Sequence, residues 1–167
     1  MSMEGHLVDR KSLRTVSGKT TNFVEIAKDC VAFANAQGGS LLIGIEDGEF
    51  LPPAGQRINP ALLDTIRKRV AENTVGVVVA PHIVTAENGG EYVELVVQRG
   101  VGVASTSDGR YYIRIADSCR PVVVDEVMRL ANERAAFPWE TMITTQISRS
   151  QIDPAKYLIF CKGVRAS

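Results

Sequence analysis

The chain has 167 residues, of which 45% are hydrophobic and 23% are charged, so its composition excludes an intrinsically disordered chain. Nineteen Lys and Arg residues balance nineteen Asp and Glu residues, and the net charge of zero excludes a general attraction to polyanions. The charged N-terminus predicts no signal peptide, and no segment is apolar over the ~20 residues that span a bilayer. We therefore expect a cytoplasmic protein with no membrane partner.

The first half of the chain predicts a strand, a helix and a second strand. A loose alternation predicts a short strand at residues 7–11, and apolar residues at helical spacing predict a helix that Asn22 caps, with Glu25 completing a capping box. Gly38 and Gly39 are expected to end this helix, at least one of them with a positive φ. The apolar run that follows, residues 40–45, predicts a central strand buried on both faces.

The rest of the chain is richer in strands. Alternating residues and turn signals predict a helix at 60–73, strands at 77–79, 83–86 and 92–98, a hairpin of 101–105 with 110–115, and a helix at 125–135. Val127, Met128, Leu130 and Ala131 are expected to face inward from the last helix. The order of the elements predicts an α+β fold with one mixed β-sheet and helices packed against it.

A change in composition divides the chain near residue 135. Beyond this point Ser and Thr are frequent and hydrophobic periodicity is weak. We predict one domain at residues 1–135. Residues 136–167 form a C-terminal extension or the start of a truncated second segment.

Acidic residues near the first two strands suggest a metal site. Asp9 and Lys11 project from the same face of the first strand, and Asp47 follows the central strand. Together with Glu4, Asp9 and Asp47 could hold Mg²⁺ while Lys11 stabilises phosphoryl charge. Alternatively, Asp47 before a glycine is simply a turn residue.

Basic residues suggest a nucleic-acid surface instead. We expect residues 67–69 of the second helix and the predicted hairpin region to form one basic face. On the hairpin strand, Arg110, Tyr112 and Arg114 lie on this face. The residues that alternate with them, Tyr111 and Ile113, face the core. The predicted contacts on this face are Arg67, Lys68, Arg69, Arg110, Tyr112, Arg114 and Arg120. The alternative is an ordinary solvated surface.

A third basic candidate precedes the first helix. Gly18-Lys19-Thr20 has the order of a phosphate-binding loop, but such a loop needs a glycine five residues before Gly18, and position 13 is Leu13. We therefore predict no nucleotide-hydrolysing loop and keep Lys19 as a candidate phosphate contact.

The motifs of the chain resemble those of the schlafen AlbA-like domain family. Residues 26–48, IAKDCVAFANAQGGSLLIGIEDG, resemble the family's AFANxxGGxLLIGxxDxG hallmark. Asp9-Arg10-Lys11 resembles its E-F-K, and residues 112–130 resemble its Y-x-R-x-G-S-x-x-R-P-A…E-x-x-x-L ending. The resemblance covers about residues 3–135. It implies a DNA-binding domain that in bacteria often precedes regulatory or ATPase-like segments.

The resemblance also implies an alternative, catalytic function. Schlafen relatives include endoribonucleases with three acidic residues, which correspond to Glu4, Asp9 and Asp47 here. Three features depart from the family pattern: Asp9 replaces the usual Glu, Arg10 replaces the usual aromatic residue before Lys11, and Ala116-Asp117 replaces the usual Gly-Ser.

We expect a nucleic-acid-binding module of a transcriptional regulator, with DNA favoured over RNA as its partner. One alternative is a Mg²⁺-dependent endoribonuclease that uses the three carboxylates. The other is a structural or homo-oligomerisation domain that serves an effector segment beyond residue 167.

Overall fold

A four-stranded mixed β-sheet lies at the centre of the computed structural model, which describes residues 7–18 and 21–134. All of these residues belong to the first of the two units into which the chain divides, residues 1–135, and the predicted extension at 136–167 lies outside the described part. In chain order the elements are β1 (Val8–Lys11), α1 (Phe23–Asn35), β2 (Gly39–Ile43), α2 (Ala61–Asn73), β3 (Thr74–Val75), β4 (Val79–Thr85), β5 (Glu91–Val97), β6 (Ser105–Thr106), β7 (Tyr112–Ile115), β8 (Ser118–Pro121) and α3 (Val124–Arg134).

The central sheet has the strand order β1-β2-β5-β4. β1 runs parallel to β2, and the other neighbours are antiparallel. Two small ladders, β3 with β6 and β7 with β8, lie outside it. The predicted α+β class with a mixed sheet is confirmed. Among the described residues no helix is long and apolar enough to cross a membrane.

The core lies between one face of this sheet and the helices. Alternate residues of β2 and β5, such as Leu41 and Leu95, point into it and are fully buried together with Phe33 of α1. The central position of β2 is confirmed, but burial on both of its faces is wrong. On the second face Ser40 is half-buried, and its hydroxyl donates a hydrogen bond of 3.0 Å to Glu94 on the neighbouring strand.

Local signals set both ends of α1 as predicted. The backbone N–H of Glu25 donates to Asn22 Oδ1 at 3.2 Å, and Asn22 Nδ2 donates to Glu25 Oε2 at 3.2 Å, so the side chains of both residues close the first turn. Gly38 and Gly39 have φ values of +82° and +157°. A Cβ on Gly39 would lie 2.5 Å from the Phe33 ring, so the chain can reverse here only with glycine.

Two strand predictions are wrong for physical reasons. Residues 79–85 form one strand, β4, rather than two, because β4 is an edge strand and an edge tolerates Pro81 without loss of a ladder hydrogen bond. The predicted hairpin of 101–105 with 110–115 does not form either. The turn at 107–109 is present, but β6 pairs with β3, and β7 pairs with β8 instead.

The last helix, α3, is confirmed, although one of its predicted inward residues is not. Leu130 is buried, whereas Met128 is 60% exposed. Arg134 joins α3 to the C-terminal end of α1, because its guanidinium donates to the carbonyls of Ala34, Ala36, Gly100 and Gly102 at 2.9–3.3 Å. A cation at this end also complements the helix dipole of α1.

Candidate functional site

A largely buried group of charged side chains lies between β1, α1 and the β7–β8 ladder. We call it the polar cluster, and its members are Asp9, Lys11, Glu25, Asp29, Arg114 and Cys119. Two of the four predicted catalytic residues, Asp9 and Lys11, belong to it. Glu4 lies outside the described residues, and Asp47 lies in an exposed turn after β2.

Lys11 is the centre of the polar cluster. Its ammonium lies 3.4 Å from Asp9, 3.2 Å from Glu25 and 3.2 Å from Asp29. The geometry follows from the sequence, because residues two apart on a strand share a face and residues four apart on a helix share a side. β1 therefore presents Asp9 beside Lys11, and α1 presents Glu25 beside Asp29.

Arg114 contributes the second cation of the polar cluster. Its side chain is only 1% exposed, its guanidinium lies 3.6 Å from Asp9, and its guanidinium carbon lies 4.6 Å from the centre of the Phe33 ring. The prediction that Arg114 shares an exposed face with Arg110 is therefore wrong. Packing of β7 against α1 turns Tyr112 and Arg114 inward, and a buried arginine here has an acidic and an aromatic partner.

Burial and charge together set the protonation of the polar cluster. Burial lowers the pKa of Lys11, but the charges of Asp29 and Asp9 outweigh it and leave the pKa above its ordinary value. Burial raises the pKa of Asp29 despite the nearby Lys11. Burial and the adjacent Asp29 also raise the pKa of Cys119 to about 12, so its thiol stays protonated and donates to Asp29 Oδ1 at 3.1 Å.

The described residues do not fit a magnesium ion. Within residues 7–18 and 21–134, no group of three His, Cys, Asp or Glu side chains is arranged to hold a metal. The Asp9 carboxylate contacts both Lys11 and Arg114. These two cations neutralise the negative charge with which the carboxylate would bind a metal ion. The three-carboxylate site stays a prediction because Glu4 is not described.

A groove beside the polar cluster collects other predicted residues. We call it the α1 groove; it encloses about 420 Å³ between the start of α1, the end of α2 and the turn before β7. Its lining residues are Asn22, Val24, Glu25, Ala27, Lys28, Asn73, Thr106, Ser107, Asp108, Arg110 and Tyr112. Arg110 and Tyr112 were both predicted to contact nucleic acid.

Cations and an aromatic ring meet in the α1 groove. The Lys28 ammonium lies 5.6 Å from the centre of the half-buried Tyr112 ring, and Lys28 makes no ion pair within the described part of the chain. Arg110 is exposed and pairs with Asp108 at 3.0 Å. A hydrogen bond from the Thr106 hydroxyl lowers the pKa of Asp108, which therefore stays ionised.

A second groove continues the first. It shares Asn22, Val24 and Asn73 with the α1 groove, encloses about 530 Å³ and is also lined by Gly18 and Arg69. The two grooves are therefore adjacent. Together they are lined by three of the predicted contacts, Arg69, Tyr112 and Arg110.

The other predicted basic residues do not line these two grooves. Arg67 and Lys68 are exposed on α2 and pair with Asp64 at 2.7 Å and Glu72 at 4.0 Å, and Arg69 also pairs with Glu72, at 3.2 Å. Arg120 is exposed on β8, and its side chain has no ion pair among residues 7–18 and 21–134. Lys19 lies outside the described residues.

Sequence reasoning missed Lys28 and Asp29. A signal for Asp29 was present, because it is a charged residue inside the otherwise apolar run of α1, and charges are buried there only with partners. Lys28 gave no such signal, since a lysine on a helix is ordinarily solvated. Only the fold places it beside Tyr112, 84 residues later in the chain.

Comparisons with known proteins agree with this fold. The family model for Schlafen, AlbA_2 matches residues 4–123, which is 120 of the 167 residues. No curated protein matches the chain significantly. Among solved structures, the chain is similar to the crystal structure of the DIP2311 protein from Corynebacterium diphtheriae, with 26% identity and a TM-score of 0.50 over 70% of this chain and 25% of that one.

The present chain thus spans a quarter of the length of that relative. The family model covers β1, the whole glycine-containing segment after α1 and both small ladders, so it includes the polar cluster and the α1 groove. This match indicates a nucleic-acid-related domain. The chain belongs to the Schlafen AlbA_2 family.

Proposed function

We propose that this domain binds nucleic acid along the α1 groove and serves as the binding module of a transcriptional regulator, with DNA as the favoured partner. The observation that carries the proposal is the meeting of Lys28, Arg110 and Tyr112 in one groove. Phosphate contacts position a nucleic acid, and an aromatic ring offers a stacking surface to any base. Membership of a nucleic-acid-related family supports the same function.

Lys28 is the primary phosphate contact in this proposal. Its ammonium has no carboxylate partner within the described residues, so a phosphate does not have to displace an existing ion pair. Arg110 is a weaker contact because Asp108 already lies 3.0 Å from its guanidinium. Tyr112 lies beside Lys28 and stacks on a base through the part of its ring that the groove exposes.

Two amide side chains favour unpaired bases over a rigid duplex. Asn22 and Asn73 line both the α1 groove and the second groove. Amide groups can donate to and accept from the edges of unpaired bases. We therefore assign base contacts to these amides and to Tyr112, and phosphate contacts to the cations of the grooves.

Fluorescence anisotropy with labelled single- and double-stranded DNA and RNA tests the proposal, with and without Mg²⁺. We expect salt-dependent binding without cleavage. Tyr112→Leu removes the stacking ring and should weaken binding by about tenfold, whereas Tyr112→Phe keeps the ring and should bind like the wild type. Absence of binding to all four probes at low salt would contradict the proposal. Cleavage that a chelator abolishes would favour the endoribonuclease instead.

A further inference from the structure

Lys11 contacts more carboxylates than its charge can balance. Asp9, Asp29 and Glu25 all lie within 3.4 Å of its ammonium. Arg114 adds one more positive charge through Asp9. Within residues 7–18 and 21–134, three carboxylates therefore lie around these two cations.

The three carboxylates differ in exposure. The side chains of Asp29 and Asp9 are 6% and 13% exposed, and both are fixed by further contacts, from Cys119 and Arg114 respectively. The Glu25 side chain is 44% exposed and lines the α1 groove. Glu25 is therefore the carboxylate of the three that an incoming ligand meets first.

We propose that Glu25 occupies a second phosphate position of the α1 groove, and that a nucleic-acid phosphate displaces its carboxylate and takes its place on Lys11. This inference rests on the proposed function of the groove. After the exchange, the phosphate takes the place of Glu25 as the third anion on Lys11, beside Asp9 and Asp29.

The structure keeps the cost of this exchange small. Glu25 retains a partner when it leaves Lys11, because its other carboxylate oxygen already accepts from Asn22 Nδ2 at 3.2 Å. The first turn of α1 stays capped, since the Glu25 N–H donates to Asn22 Oδ1 regardless of where the carboxylate lies. Lys11 stays in place because Asp9 and Asp29 hold it from the buried side.

Glu25→Gln tests the exchange, because it keeps the size of the side chain and removes the competing charge. With a labelled single-stranded DNA of about 20 nucleotides, we expect affinity to increase about three- to tenfold. Glu133→Gln on α3 is the matched control, since it makes the same change in net charge at a side chain 59% exposed and outside the groove. A gain in Glu25→Gln no larger than in this control would overturn the exchange.

Lys11→Met identifies the cation involved. In this background the gain from Glu25→Gln should disappear, and a gain that persists would overturn the exchange. A measurement on the wild type avoids any loss of folding in that variant. On titration with the same DNA, the carboxyl ¹³C resonance of Glu25 should move while those of Asp9 and Asp29 stay; a stationary Glu25 resonance in the complex would overturn the exchange.

The outcomes separate the inference from the function on which it rests. Binding by the wild type that weakens in Lys28→Gln, with no gain in Glu25→Gln, contradicts the exchange and leaves the groove as the binding site. No binding by either the wild type or Glu25→Gln contradicts both. Binding by Glu25→Gln alone supports both, because Glu25 then closes the site in the wild type.

Discussion

Asn35 and Ala104 form a reciprocal pair of hydrogen bonds across 69 residues of sequence. Asn35 Nδ2 donates to the Ala104 carbonyl at 2.8 Å, and the Ala104 N–H donates to Asn35 Oδ1 at 2.8 Å. The same amide also donates to the Tyr112 carbonyl at 2.9 Å. The asparagine of the family hallmark thus fastens the segment that carries the groove residues to the end of α1.

Replacement of Asn35 by Ala should destabilise the domain by about 3 kcal/mol, because it leaves two buried backbone groups of Ala104 without partners. Urea denaturation measures the change. Gln37→Ala, at an exposed position two residues later, should change stability by less than about 0.5 kcal/mol. Equal stability of Asn35→Ala and the wild type would contradict this role.

Replacement of Ala116 by Gly should stabilise the domain. It lies in the turn between β7 and β8 with φ of +56°, a conformation that costs a residue with a Cβ about 1 kcal/mol or more. Ala116→Gly should therefore raise stability by up to about 1 kcal/mol. Ala71→Gly, at an exposed position in the last turn of α2, is the matched substitution and should lower stability by up to about 1 kcal/mol. A loss of stability in Ala116→Gly would show that the turn does not strain the alanine.

Cys119 should react slowly with thiol reagents. Its reaction rate should depend on the negative charge of Asp29. Burial and Asp29 raise the pKa of Cys119 to about 12, so the reactive thiolate is scarce near pH 8. The rate should rise about tenfold per pH unit up to about pH 11, where an ordinary thiol has already reached its plateau. Asp29→Asn removes the negative charge, lowers the pKa and should accelerate labelling, as peptide mapping by mass spectrometry would measure. A plateau below pH 10 in the wild type would contradict this environment.

Arg134 should hold α3 in place. Its guanidinium reaches four carbonyls, and Arg134→Lys keeps the charge but cannot reproduce the planar fork. Amide hydrogen exchange should therefore speed up in α3 and leave β2 and β5 unchanged. Arg129→Lys, an exposed residue of the same helix, should leave exchange unchanged. Unaltered exchange of α3 in Arg134→Lys would contradict the contact.

Local signals in the sequence were sufficient for the ends of α1. The Asn22 and Glu25 cap and the Gly38-Gly39 reversal depend on residues a few positions apart, so the sequence contains all of their determinants. The direction in which β7 faces could not be predicted in this way. The alternation of residues in β7 allows either set of its side chains to face the core. Packing of β7 against α1 is what buries Arg114.

The candidate site was predicted only in part, for a related reason. Asp9 and Lys11 share a strand face, which alternation alone indicates, but their partner Asp29 comes from another element. The basic residues were identified by type, and their exposure was correct for Arg67, Lys68, Arg69, Arg110 and Arg120. Which of them line a groove depends on how α1, α2 and the turn before β7 pack together.

The salt dependence of binding by Lys28→Gln tests the central claim most directly. For single-stranded DNA, the logarithm of the wild-type affinity should fall linearly with the logarithm of salt concentration. Lys28→Gln should weaken binding at low salt and reduce that slope by about 0.7, the value of one lost phosphate contact, while Arg129→Gln on α3 should preserve both. A Lys28→Gln variant with the affinity and slope of the wild type would show that nucleic acid does not occupy the α1 groove.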